Sequence, residues 1–147
     1  MVYASTKQEL VLFFGAPGSG KSTFFNTHLS SYERISQDKL GTADKCIKAC
    51  QQALSAGRSA VIDNTNKTLE QRSRYTSIAK ALKIPIRIFI FEVPKDRCMH
   101  NNKQRKINPY REHFSKKVSD VVIHDFFKNK EVPKATEGYA DILNIEF

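Results

Sequence analysis

Five apolar residues, Leu10-Val11-Leu12-Phe13-Phe14, run straight into Gly15-Ala16-Pro17-Gly18-Ser19-Gly20-Lys21-Ser22-Thr23. The run fits G-x-x-x-x-G-K-[ST], and it has the setting that this pattern requires: a buried strand before it and a helix-forming segment after it. Glycines let consecutive backbone N–H groups turn toward one point, which makes an anion cradle at the N-terminus of the next helix. There Lys21 can reach the β- and γ-phosphates of a nucleotide, and the Ser22 hydroxyl can hold Mg²⁺. Every residue from Gly15 to Thr23 is therefore a candidate phosphate contact. A strand, phosphate loop and helix at the start commit the chain to an α/β architecture.

The remainder keeps that rhythm. After the first helix, Lys21 to about Leu29, Tyr32 to Ile35 reads as a short strand. Between Asp38 and Ala56 the apolar positions Leu40, Ala43, Ile47, Cys50 and Leu54 fall on one face of a single predicted helix, which Gly57 stops. Ser59 to Ile62 is a buried strand ending at Asp63, and Thr68 with Gln71 forms a capping box for a helix through about Leu82. Ile86 to Val93 is the clearest strand. A polar helix, Lys95 to Lys106, leads into an aperiodic stretch, Ile107 to Val118. Ser119 can cap a helix from Asp120 to about Lys128 with Val122, Ile123, Phe126 and Phe127 on its apolar side, and a last strand follows Gly138 from Ala140 to Phe147. Strands alternating with helices predict one domain over residues 1–147: a P-loop NTPase-type parallel sheet of about five strands, flanked by helices, with a lid segment.

Composition limits the remaining classes. No apolar run approaches the roughly 20 residues of a membrane-spanning helix, and the N-terminus lacks the apolar core of a signal peptide. Cys46, Cys50 and Cys98 are odd in number without C-x-x-C spacing or patterned His and acidic neighbours, which favours thiols in a reducing, intracellular compartment. The formal charge of +9 exceeds what a triphosphate site needs. It suggests a polyanionic second partner, nucleic acid first and a membrane surface second, although a lysine-rich solvated surface would give the same sum.

In parallel sheets of this type ligands bind outside the carboxyl ends of the strands. Beside the phosphate loop, two other strand ends carry carboxylates. Asp63 follows a buried strand and is a candidate for orienting Mg²⁺, or simply for capping the turn. Asp38 starts a helix, where it could be an N-cap or a general base that receives the proton of an acceptor hydroxyl. The stretch from Lys95 to Lys117 holds eight Lys or Arg against two acids. It reads either as a solvated helix face or as a lid whose arginine, Arg105, stabilises charge developing on the phosphates. No N-K-x-D motif of GTPases is present, nor the H-R-D and D-F-G motifs of protein kinases.

Taken in order, these segments resemble the kinase domain of the bifunctional polynucleotide kinase/3′-phosphatases. The similar stretches are Phe14 to Phe24, Asp38-Lys39-Leu40-Gly41, Val61-Ile62-Asp63-Asn64-Thr65-Asn66, Arg72-Ser73-Arg74-Tyr75, His100-Asn101-Asn102 with Arg105, and Glu137 to Leu143. The resemblance implies transfer of the γ-phosphate of ATP, with Mg²⁺, to the 5′-hydroxyl of a DNA or RNA end in strand-break repair. It implies Asp38 as the general base, Arg105 as the lid cation, and Lys21 and Ser22 on phosphates and Mg²⁺, with Asp63 matching a family position. The D-x-D-x-T motif of the 3′-phosphatase is absent here, so the chain is either the kinase domain of a longer protein, which the resemblance implies to be a nuclear repair enzyme with a 3′-phosphatase, or a protein without that half. Two departures stand out. Gln37 precedes the base where the family often has Arg, and Gly41 stands where phage-type members have an Arg that holds the substrate phosphate. Lys39, Arg72 and Arg74 are the candidate replacements. A small-molecule kinase for a nucleoside, nucleotide or sugar acid explains the loop, Asp38 and the lid equally well, but not the charge. An ATP-dependent nucleic-acid-binding module without phosphoryl transfer is a third reading.

Overall fold

In the computed structural model, which describes residues 2–107 and 118–146, the apolar run becomes β1 (Leu10–Phe14) and every one of its residues is buried. Such continuous burial is what a central parallel strand, covered on both faces, demands. The other elements are α1 (Lys21–His28), β2 (Glu33–Ile35), α2 (Gln37–Leu40), α3 (Ala43–Ser55), β3 (Ala60–Ile62), α4 (Leu69–Ala81), β4 (Ile86–Phe91), α5 (Lys95–Ile107), α6 (Asp120–Asn129) and β5 (Asp141–Ile145). The five strands form one sheet in the order β2-β3-β1-β4-β5, with all four pairings parallel. The α/β architecture read from the sequence is the one observed. Residues 108–117, most of the aperiodic stretch read as a lid, lie outside the described residues.

Period-two alternation divides the sheet between two cores. Leu10, Leu12, Phe14, Ile86, Ile88 and Ile90 face one cluster, which holds Cys46, Cys50 and Leu54 of α3, Tyr75 and Ala79 of α4, and Ile123 and Phe126 of α6. Val11, Phe13, Phe89 and Phe91 face the other, with Phe24, Phe25 and Leu29 from α1 and its C-terminal end. Helices therefore cover both faces, and all strand C-termini emerge along one edge.

The helix expected from Asp38 to Ala56 is two helices, broken at Gly41, whose φ of +96° an L side chain adopts only with strain. Thr42 then caps α3, its hydroxyl accepting from the Lys45 N–H at 3.2 Å. The apolar spacing runs across the break because both helices pack on the same core. The Thr68–Gln71 capping box forms as expected at the start of α4. On α6, Ile123 and Phe126 are buried, whereas Val121 and Val122 are 71% and 45% exposed.

An ion pair crosses from α4 to the turn before β5. Arg72, 1% exposed, donates Nε to Glu137 Oε1 at 2.9 Å and Nη2 to Glu137 Oε2 at 3.1 Å. Nη1 donates to the Asn66 carbonyl at 2.8 Å, and the guanidinium lies 5.5 Å from the centre of the Phe14 ring. Arg72→Met leaves the Glu137 carboxylate buried without its partner and should destabilise the fold by roughly 3 kcal/mol. Chemical denaturation measures this; a change under about 1 kcal/mol would mean that the pair contributes little beyond its apolar replacement.

Candidate active site

Three strand ends meet at the phosphate loop. Gly18 and Gly20 have φ of +83° and +92°, and a Cβ on Gly18 would fall 2.5 Å from the Cys98 carbonyl oxygen. Only glycine lets the loop lie this close to α5. Asn101 Nδ2 fixes the same place by donating to the Gly18 carbonyl at 2.9 Å. The Ser19 hydroxyl is buried and has no hydrogen-bond partner among the described residues, an orphan that a phosphate oxygen would satisfy.

Lys21 is 8% exposed, and its ammonium donates to the Gly15 and Ala16 carbonyls at 2.9 and 2.8 Å. Burial lowers its pKa to about 8; the Asp63 carboxylate pushes it back up and Arg105 pushes it further down. Below pH 8 the folded protein bears the penalty of a buried charge. The penalty fades as pH rises toward 10.5, because the unfolded chain then holds the proton and the folded one does not. A bound triphosphate favours the ammonium, so nucleotide binding near pH 8.5 should take up a proton. Calorimetry in two buffers of different ionisation enthalpy reads that uptake, and Lys21→Met should abolish it; equal uptake in the variant would assign the proton elsewhere.

Ser22 and Asp63 come together as the sequence suggests: Ser22 Oγ donates to Asp63 Oδ2 at 2.8 Å. A hydroxyl beside a carboxylate is a hard oxygen set of the kind Mg²⁺ accepts, usually completed by waters and phosphate oxygens. The residues present therefore fit that ion. Arg34 of β2, a residue the sequence reading missed, joins them. Its Nε donates to Asp63 Oδ2 at 2.8 Å and its Nη2 to Ser22 Oγ at 3.0 Å.

Asp38 is exposed as the second residue of α2; Ser36, two residues earlier, stands at the N-cap position without a side-chain capping bond, so Asp38 is not the N-cap of this helix. Asn64 Oδ1 accepts from the Gln37 N–H at 2.8 Å and ties this short helix to the end of β3. Asn66, with φ of +48°, donates to the Phe13 and Ile62 carbonyls at 2.6 and 3.2 Å and so locks the ends of β1 and β3 together. Both asparagines belong to the 63–66 stretch that carried the resemblance, but their tasks could not be read without the fold.

A cleft of about 200 Å³ is lined by Lys21, Asp38, Asp63, Arg105, Val118 and Val122, among others. Five residues selected from the sequence, Pro17, Lys21, Asp38, Asp63 and Arg105, thus line one space. Asn102 holds one of the lining residues, exchanging two hydrogen bonds with the Val118 backbone at 2.7 and 3.0 Å. Of the candidate replacement cations, Lys39 is exposed on α2 beside Asp38. Arg72 is committed to Glu137, and Arg74 pairs with Asp44 at 3.0 Å on the surface. On the other side of the loop, a second cavity of about 490 Å³ is lined by Gly20, Thr23, Glu92, Pro94, Arg97 and Glu146, among others.

A P-loop-type α/β domain with a phosphate cradle, a hydroxyl–carboxylate pair and an exposed carboxylate at one sheet edge is the class defined by fold and site. The chain belongs to the AAA domain family, whose model matches residues 41–127. It is 37% identical over 145 residues to the bifunctional polynucleotide phosphatase/kinase of Schizosaccharomyces pombe, covering 97% of this chain and 35% of that protein. It is 36% identical over 144 residues to a protein of Acanthamoeba polyphaga mimivirus with the corresponding name, covering 96% and 34%. The chain thus spans about a third of the length of these curated relatives. Among solved structures, Chaetomium thermophilum Kti12 in complex with ADP-AlF3 aligns with a TM-score of 0.67 at 14% identity, covering 92% of this chain and 88% of that one. A gluconokinase from Sinorhizobium meliloti aligns with a TM-score of 0.62 at 15% identity, covering 97% and 83%. At such identities the two structures speak for the fold alone.

Proposed function

We propose that this chain is an ATP-dependent kinase for the 5′-hydroxyl ends of DNA or RNA. The observation that carries the proposal is the single cleft shared by Asp38, Lys21 and Arg105. It joins a proton acceptor to two cations at the phosphate loop, and relatives named as polynucleotide phosphatase/kinases match over nearly the whole chain.

In this reading the loop from Gly15 to Thr23 wraps the β- and γ-phosphates of ATP, and Lys21 turns from the Gly15 and Ala16 carbonyls toward them. Arg105 lies against the transferring phosphoryl group, where its fork neutralises charge that builds up in the transition state. Asp38 receives the proton of the 5′-hydroxyl as its oxygen attacks. Ser22 and Asp63 would hold Mg²⁺, which when bound draws charge from the phosphate oxygens. The nucleoside of ATP occupies the cavity between Thr23 and Glu146, and the terminal nucleoside of the acceptor lies on Val118 and Val122. The net charge of +9 supplies the attraction for a polyanion. A longer chain carrying a 3′-phosphatase, nuclear location and strand-break repair belong to the same proposal. Among the described residues no helix is long and apolar enough to cross a membrane.

The test is transfer of label from γ-labelled ATP to a 5′-hydroxyl oligonucleotide, with a 5′-phosphorylated copy as control. Label on the hydroxyl oligonucleotide alone is the expected result. No label on either, with ATP still bound, would favour a small-molecule kinase, the reading suggested by the modest size of the cleft. Salt discriminates further: KM for an oligonucleotide end should rise steeply with ionic strength, since each phosphate contact releases a counterion. A flat dependence would argue for a small acceptor.

A further inference from the structure

Arg34 is the middle residue of the edge strand β2, and its side chain is 16% exposed. The Asp63 side chain it meets is 1% exposed. Arg34, Ser22 and Asp63 close a triangle of hydrogen bonds, 2.8, 2.8 and 3.0 Å, on the two residues best suited to a divalent cation. A buried carboxylate requires a counter-charge. In this structure the counter-charge belongs to the protein itself.

We propose that Arg34 is a resident counter-cation that makes the metal site conditional on nucleotide. This inference rests on the reading of Ser22 and Asp63 as the metal-side pair. With the guanidinium on Asp63 Oδ2 and Ser22 Oγ, a Mg²⁺ ion without its phosphate partners meets an already neutralised carboxylate and a hydroxyl already engaged. A nucleotide brings enough additional negative charge to admit the ion. Arg34 is thus a positioning residue that sets the order and metal requirement of binding. Its planar fork suits the task, since Nε and Nη2 reach the two residues at once.

The experiment compares the protein with Arg34→Gln and Arg34→Lys. Melting temperature is followed against MgCl₂ without nucleotide, and the Mg²⁺ midpoint for ADP binding is measured by calorimetry. The native protein should show no Mg²⁺-specific stabilisation without nucleotide. In Arg34→Gln, Mg²⁺ alone should raise the melting temperature, and the midpoint for ADP should fall by at least about tenfold, as expected when a competing unit charge leaves a carboxylate. Arg34→Lys keeps the charge without the fork and should fall between the two. An unchanged or higher midpoint in Arg34→Gln would overturn the proposal. If that variant does not fold, an unchanged midpoint in Arg34→Lys does the same. A purely structural ion pair would lower stability in both variants without tightening the metal. ADP binding in EDTA separates the two readings: its absence in the native protein would sink the nucleotide site, while the MgCl₂ melts alone would still report on Arg34.

Discussion

Asp38→Asn should lower kcat for phosphoryl transfer by roughly 10³- to 10⁴-fold, the upper part of the range for loss of a positioned general base. Affinity for ATP should hold or tighten slightly. The reason lies in charge: Asp38 helps keep Lys21 protonated, but it also presents a negative charge to the incoming phosphates. The side chain is exposed, and Ser36 rather than Asp38 holds the N-cap position of α2, so the fold should tolerate the change. Single-turnover transfer to a labelled oligonucleotide end, with ATP affinity measured in parallel, checks both halves. Full activity in the variant would remove Asp38 from the chemistry. Loss of ATP binding together with activity would mean that the substitution had disturbed the loop.

Arg105→Ala should lower kcat by on the order of 10³-fold, as loss of a transition-state arginine does. Arg105 lines the cleft with Lys21 and lies near enough to depress the lysine pKa. Removing it should therefore also raise that pKa and weaken the proton uptake expected on nucleotide binding. The two effects have one origin and should appear together. Arg105→Lys should recover only part of the rate, because an ammonium lacks the fork that meets two phosphate oxygens at once. A loss below tenfold in Arg105→Ala would return this residue to the solvated face of α5.

Much of this was legible before any coordinates. The apolar run at 10–14 and the glycines after it specify a buried strand and an anion loop by local chemistry alone, because hydrophobic continuity and glycine conformational freedom are properties of adjacent residues. The Thr68–Gln71 capping box is local for the same reason. The α2–α3 break is not legible, because the spacing of Leu40, Ala43 and Ile47 reflects a shared core rather than one continuous helix, and a lone glycine is also tolerated inside helices. Nor is the split of the apolar residues on α6. Val122 repeats the helical pattern, yet it lines the cleft that also holds Asp38.

The roles of Arg34, Asn64, Asn66 and Asn101 depend on partners far along the chain. Arg34 meets Asp63 across the β2–β3 edge, and Asn101 meets Gly18 from α5. Arg72 shows the opposite case. By sequence it is a candidate to replace the family cation missing at Gly41, but the structure turns it inward onto Glu137, 65 positions away. The phosphate loop, the alternation of strands and helices, and a short set of charged residues at strand ends follow from local sequence. Tertiary structure alone decided which of those charges share a cleft and which brace the fold. The physical reason is that a side chain's task follows from what burial and the crossing of parallel strands place against it, and those contacts are set by strand order rather than by sequence neighbours.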